Sequence, residues 1–179
     1  MDTVRPTGPM RTLMVDASQS ASDFLYLGEW ARSLDERFRL SLPAEMADPL
    51  AGDSSECVLA KERPGCVSIW NTQQWEEWLA GGVELVTGKI KSGRLSGRLS
   101  QVQLLGRLLS TRHRKVPIGG RGRLAIPESF REFLEVEPGG ELMVVGAAVC
   151  LEIWHPRRWS EHIGEQMPEF RQLFDQLAD

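Results

Sequence analysis

A chain of 179 residues with 41% hydrophobic and 26% charged side chains lies in the range of folded soluble proteins, which excludes a disordered or fibrous chain. The net charge is -4, and the longest apolar run, "LMVVGAAVCL" at 142–151, contains glycine and is far shorter than the roughly 20 residues a membrane helix needs. Three cysteines, Cys57, Cys66 and Cys150, show no CxxC spacing and are read as small buried hydrophobes in a reducing cytoplasm, not as metal ligands or nucleophiles.

In chain order, residues 1–27 carry acidic residues and prolines but no continuous apolar stretch, so they do not resemble a secretory signal and are expected to form a flexible tail. "FRLSL" (38–42) alternates as strands do, and Pro43 ends it where a short helix, "AEMADPL", begins. "ECVLAKE" and "CVSIW" follow as strands joined by an "RPG" turn, and "NTQQWEEWLA" is helical. In residues 86–110, Gly88, Gly93 and Gly97 weaken the first part as a helix, at about 1 kcal/mol each relative to alanine. The second part places Leu95, Leu99, Val102, Leu105 and Leu109 on one helical face. "TRHRKVPI" reads as a strand entering a turn at Gly119; "GRLAI" is another strand, stopped by Pro127 before the helix "ESFREFLEV". The "EPGGE" turn opens a strand "ELMVVGA", "CLEIW" is its partner, and "HPRRWSEHIGEQ" is helical. At the end Phe170, Leu173, Phe174 and Leu177 form one stripe, suited to docking on the protein or on a neighbouring subunit.

Shifting the chain by 84 residues aligns it with itself. Asp35 falls on Gly119, Arg37 on Arg121, Arg39 on Arg123, Leu40 on Leu124, Leu42 on Ile126 and Pro43 on Pro127. Cys66 then meets Cys150, and the pattern "IWxxxxW" brings Trp70 onto Trp154 and Trp75 onto Trp159. Each copy therefore reads as strand, short helix, hairpin, helix, a unit too thin to bury two faces alone, so the copies are expected to complete one another's core. The leucines and tryptophans are read as packing residues. The arginines need another account, because packing does not require a guanidinium.

Charge is unevenly distributed. Residues 85–127 contain no Asp or Glu and ten cations: Lys89, Lys91, Arg94, Arg98, Arg107, Arg112, Arg114, Lys115, Arg121 and Arg123. Such a window is best neutralised by a polyanion, nucleic acid above all.

"LDERFRLSLP" in the first copy and "GRLAIP" in the second resemble the paired motifs of the MraZ family of bacterial transcriptional regulators, over residues 28–159. The resemblance implies an α+β fold of tandem SpoVT/AbrB-like swapped-hairpin modules, forming a pseudo-twofold, β-barrel-like core with flanking helices. On that basis 28–76 is the first module, 77–111 a basic linker and helix, 112–159 the second module, and 160–179 a C-terminal helical segment. It further implies a cytoplasmic, nucleoid-associated repressor that binds double-stranded DNA at direct repeats upstream of the division and cell wall gene cluster, as a ring-shaped homo-oligomer, with no cofactor, membrane or small-molecule substrate. Asp35 and Arg39 match the family's DxxxR motif in the first copy, and Arg123 matches its arginine in the second. Phe38 stands where the motif commonly has glycine, and phenylalanine at positive φ is strained, which argues against a left-handed turn there. Gly119 stands where the second copy would have the carboxylate.

An aspartate four residues before an arginine can cap turn amides and aim the guanidinium, whose planar fork holds a phosphate or a guanine edge. The expected DNA-binding set is Asp35, Arg37 and Arg39 in the first copy and Arg121 and Arg123, backed by Arg112, Arg114 and Lys115, in the second. The second turn, with no acidic residue to offset its arginines, is expected to grip phosphates more strongly. Against an enzyme, His113, His155 and His162 are scattered, with no partner at a spacing that builds a catalytic triad or a metal site. The remaining rival is an AbrB-like interaction module, antitoxin-type or a general polyanion binder, that recognises no specific operator.

Overall fold

The computed structural model describes residues 24–178; most of the expected tail, residues 1–23, and Asp179 lie outside the described residues. The strands are β1 (Glu29–Ser33), β2 (Arg39–Ser41), β3 (Glu56–Arg63), β4 (Cys66–Asn71), β5 (His113–Pro117), β6 (Arg123–Ala125), β7 (Glu141–Gly146) and β8 (Leu151–Trp154). The helices are α1 (Ala44–Ala51), α2 (Thr72–Lys91), α3 (Leu99–Thr111), α4 (Glu128–Leu134), α5 (Pro156–Gln166) and α6 (Phe170–Ala178).

Six strands form one antiparallel sheet in the order β1-β7-β8-β4-β3-β5, and β2 pairs with β6 as a separate short ribbon. The 84-residue repeat governs this order. β1 of the first copy pairs with β7 of the second, and β5 of the second pairs with β3 of the first, so each copy lends its leading strand to the other's hairpin. A pseudo-twofold axis passes between Ser68 and Glu152, which face each other across β4 and β8, and between Leu40 and Leu124, which face each other in the ribbon. In both pairs the facing residues stand 84 apart.

The architecture is therefore α+β, as the sequence reading expects, but the core is not barrel-like. β1 and β5 remain as two free edges of an open sheet, and the three-residue strands of the ribbon are too short to bridge them. β1 itself escapes the sequence reading, because "EWARS" shares no residue with β5 at the 84-residue offset.

Alternate residues of the central strands point to opposite faces. One face, with Leu59, Ile69, Val67, Leu151, Ile153 and Leu142, packs under the ribbon and helices α1 and α4 to make the main core. Leu40, Leu42, Leu124 and Ile126 seal it from the ribbon side. Tyr26, inside the span assigned to the tail, is fully buried there and pairs with Ala148 through two backbone hydrogen bonds of 2.8 and 3.0 Å. The opposite face carries Val58, Ala60, Trp70 and Trp75 near the start of α2, and Cys66, Trp154 and Trp159 near α5. The indole N–H of Trp70 donates to Glu62 at 3.0 Å, and that of Trp154 donates to Glu152 at 2.9 Å, so these two pack with their polar ends satisfied, whereas the buried indole N–H of Trp75 finds no acceptor among the described residues. All three cysteines are free and buried, and burial pushes the thiols of Cys57 and Cys150 up to about 12, which leaves neither as a nucleophile.

Helix starts follow the repeat. The Asn71 side chain accepts the N–H groups of Gln73 and Gln74 to cap α2, and His155, 84 residues on, accepts from Arg157 to cap α5. α2 continues through Gly81, Gly82 and Gly88, past the point where glycine content predicts a break. It stops only at Gly93, whose φ of 72° lets the N–H of Arg94 bond the Lys89 carbonyl and its own N–H bond that of Ile90. Beyond Trp75 the helix buries no residue, so α2 and the returning α3 stand out from the body as an arm.

Candidate nucleic-acid interface

The two turns that precede β2 and β6 sit at opposite ends of the ribbon. In the first, Oδ1 of Asp35 accepts the backbone N–H groups of Arg37 at 2.8 Å and Arg39 at 2.9 Å, while Oδ2 accepts Nε of Arg39 at 2.6 Å. The backbone N–H of Arg39, followed by its guanidinium, holds the Asp35 carboxyl below the usual carboxylate range. The turn is closed by Phe38 N–H to the Asp35 carbonyl at 2.9 Å, and Phe38 adopts φ 55°. The left-handed turn is thus present despite the phenylalanine. Its ring lies beneath the guanidinium of Arg131, 3.8 Å from the ring centroid, a contact that offsets the backbone strain.

In the second turn Gly119 donates to the Arg123 carbonyl at 2.7 Å, and Arg121 and Gly122 are both left-handed, at φ 63° and 68°. Gly122 is the counterpart of Phe38, and Ala47 the counterpart of Arg131. A Cβ on Gly122 would lie 2.7 Å from that of Ala47. One contact is filled by glycine on alanine, the other by phenylalanine on arginine, so the repeat keeps the turn while exchanging both partners of the contact.

The ribbon ties the turns together: Leu42 N–H bonds the Gly122 carbonyl at 3.0 Å and Ile126 N–H bonds the Phe38 carbonyl at 2.9 Å. Arg39 faces Ala125 and Ser41 faces Arg123, with Leu40 and Leu124 turned into the core. Arg39 and Arg123 therefore emerge on one outward face as diagonal neighbours, about 7–8 Å apart at the backbone. Arg37 and Arg121 extend this surface from the turns at either end; both are exposed. Among the described residues no acidic side chain pairs with Arg37, Arg121 or Arg123, whereas Arg39 is paired with Asp35.

The other three expected residues are placed apart. Arg114 is exposed on the edge strand β5, on the side of Val116 and hence of the ribbon. Arg112 lies beyond the far end of β5, its guanidinium 5.7 Å from the centre of the Phe133 ring. Lys61 joins it there, 4.6 Å from the centre of Phe130, with its pKa lowered by burial and then by the charge of Arg112. Lys115 points to the opposite face of the sheet and binds Glu76 of α2 at 2.5 Å, a bond that raises its pKa. Lys61 and Arg131 were not singled out from sequence. The signal for Arg131 was available, since it breaks the repeat where Ala47 stands.

The histidines are engaged in packing and capping: His113 lies tilted against Trp75 at 5.3 Å between ring centres, His162 stacks with Trp154 at 4.7 Å, and His155 caps α5. Among the described residues no group of three His, Cys, Asp or Glu side chains is placed to hold a metal. No described helix is long and apolar enough to cross a membrane.

Fold and site together define a class, a duplicated α+β domain whose two halves exchange strands and present arginines on a shared two-stranded ribbon. Residues 112–178 match the family model described as "MraZ protein, putative antitoxin-like". Relatives named "Transcriptional regulator MraZ" align over most of the chain. The protein of Roseiflexus castenholzii is 28% identical over 135 residues, which is 75% of this chain and 84% of the relative. That of Salinispora tropica is 28% identical over 149 residues, 83% and 94% of the two chains, and that of Heliobacterium modesticaldum 22% over 155 residues, 87% and 98%. The chain is thus similar, over most of its length, to proteins named as MraZ transcriptional regulators.

Proposed function

We propose that this chain is a sequence-specific DNA-binding transcriptional regulator acting through the β2–β6 ribbon. The observation that carries this reading is the emergence of Arg39 and Arg123 on one outward face, flanked by Arg37 and Arg121, on an element of the size the DNA major groove admits. Arg39, aimed by Asp35, reads a base edge; Arg121 and Arg123, unopposed, hold phosphates, with Arg114 beside them on the edge strand. Arg112 and Lys115 are outlying contributors, the latter only where DNA competes with Glu76.

The names of the relatives support transcriptional regulation as the role. In this reading residues 28–76 and 112–159 are two SpoVT/AbrB-like swapped-hairpin modules, a view supported by the exchange of β1 and β5 between the copies. The protein acts in the cytoplasm at the nucleoid, as a repressor of the division and cell wall gene cluster. One subunit offers few contacts, so affinity comes from a homo-oligomeric ring engaging several direct repeats at once. The test is a binding comparison among DNA carrying direct repeats from upstream of its own gene, the same DNA shuffled, and structured RNA. Preference for the repeats is expected; equal affinity for all three would replace the regulator with a general polyanion-binding module.

A further inference from the structure

The arm and the C-terminal segment each expose an apolar surface that a lone chain leaves uncovered. Between α2 and α3 runs a groove of about 370 Å³, lined by Trp78, Val83, Val86, Val102, Leu105 and Leu109. Trp78 is 50% exposed and Leu105 39%. On α6 the stripe Phe170, Leu173, Phe174 and Leu177 is more exposed still, from 53% at Leu173 to 80% at Leu177. Contiguous apolar surfaces of this kind mark interaction sites.

Two further features match the surfaces to each other. The groove from Trp78 to Val86 and the stripe from Phe170 to Leu177 both extend about 10–12 Å at the rise of an α-helix. The elements that bear them have opposite net charge: residues 76–111 carry Lys89, Lys91, Arg94, Arg98 and Arg107 against Glu76, Glu77 and Glu84, and the segment 164–178 carries Glu165, Glu169 and Asp175 against Arg171 alone. Among the described residues no salt bridge involves those five cations or the four charged residues of 164–178.

We propose that α6 of one copy docks in the α2–α3 groove of a second copy. Stripe and groove are different surfaces of the chain, so the contact is head-to-tail and propagates until a ring closes. The inference rests on the homo-oligomer part of the reading above and not on its DNA part. It also assigns the cations of the arm to a protein partner, which leaves DNA to the ribbon.

The test uses Phe174→Asp in the stripe and Leu105→Asp in the groove, with a chain truncated after Gln166 as a second stripe variant, and light scattering on a sizing column for mass. The intact chain is expected to run as a multimer of its 20.1 kDa mass and each variant as a single chain, with circular dichroism unchanged in the two point variants and reduced only by the helical signal of α6 in the truncated chain. Mixing Phe174→Asp with Leu105→Asp leaves one good stripe and one good groove, so a two-chain species should form and stop there. The proposal is overturned if the intact chain is a monomer, if Phe174→Asp and the truncated chain both keep the parent mass, or if the mixed variants stay single. Loss of DNA binding in ribbon variants that still assemble would count against the DNA reading and not against this contact.

Discussion

In the first turn Asp35 caps two backbone amides and holds Nε of Arg39 at 2.6 Å, and Phe38 lies under Arg131. In the second, Gly119 provides no carboxylate, Arg123 has no acidic partner among the described residues, and Gly122 closes on Ala47. The frame is shared where the turns enter the ribbon, because the bonds from Leu42 and Ile126 are symmetric and both turns use a left-handed residue at the same place, although Arg121 is left-handed as well and Arg37 is not. What duplication has kept is the frame; what it has allowed to diverge is how firmly each arginine is aimed and how much negative charge surrounds it.

The comparison is broken most easily at the axis. Leu40→Ala and Leu124→Ala each leave a hole in a fully buried, facing pair and should each cost about 2–5 kcal/mol in denaturant unfolding. If the frame is equivalent in both copies the two values will agree within about 1 kcal/mol, and a larger gap would mean that the ribbon is not shared equally. Next in size is Gly122→Ala, which forces a Cβ against Ala47 at a left-handed position and should destabilise by about 1–3 kcal/mol. The matching change in the first turn, Phe38→Gly, relieves strain while losing the stack on Arg131. It should move stability by less than about 1 kcal/mol, so a large loss there would show that the stack dominates.

Gly119→Asp makes the second turn imitate the first. The backbone at Gly119, φ -76° and ψ 172°, accepts any residue, and a Cβ would meet only the Arg123 carbonyl at 3.4 Å. Binding to shuffled DNA should weaken by about 0.5–1 kcal/mol, the worth of an exposed ion pair, while binding to the repeats is kept. Loss of discrimination between the two DNAs would refute the division of labour between grip and reading. Smallest is the acid response. The folded pKa of Asp35 is depressed, so its contribution is complete above the unfolded value of about 3.9 and fades as pH falls through the folded value. Asp35→Asn should flatten that part of the stability curve below about pH 4, and an unchanged curve would deny the carboxylate its capping role.

Much of this was legible because the repeat offset is constant. Paired prolines and tryptophans fixed the register, and alternation then placed Leu40, Leu42, Leu124 and Ile126 inside. β1 was missed because an edge strand pairs through backbone, and its side chains had no counterpart in β5 to betray it. The length of α2 was missed because the glycines at 81, 82 and 88 lower helix propensity without breaking the helix, which ends only where Gly93 turns left-handed. The left-handed Phe38 was argued against because the compensating residue, Arg131, lies on another element 93 positions away. Of the site, the arginines of the ribbon come together as the motif suggests, whereas Lys115 turns away because alternation along β5 sends it to the α2 face.

If Arg123 grips phosphate while Arg39 reads sequence, the salt dependence of DNA binding separates the two residues. For Arg123→Ala, the slope of log affinity against log salt should fall in magnitude by about 0.9 per neutralised phosphate, on repeat and shuffled DNA alike. Arg39→Ala should leave the slope on shuffled DNA nearly intact and reduce the preference for the repeats. An unchanged slope and affinity in Arg123→Ala would remove that residue from the interface and with it the division between grip and reading.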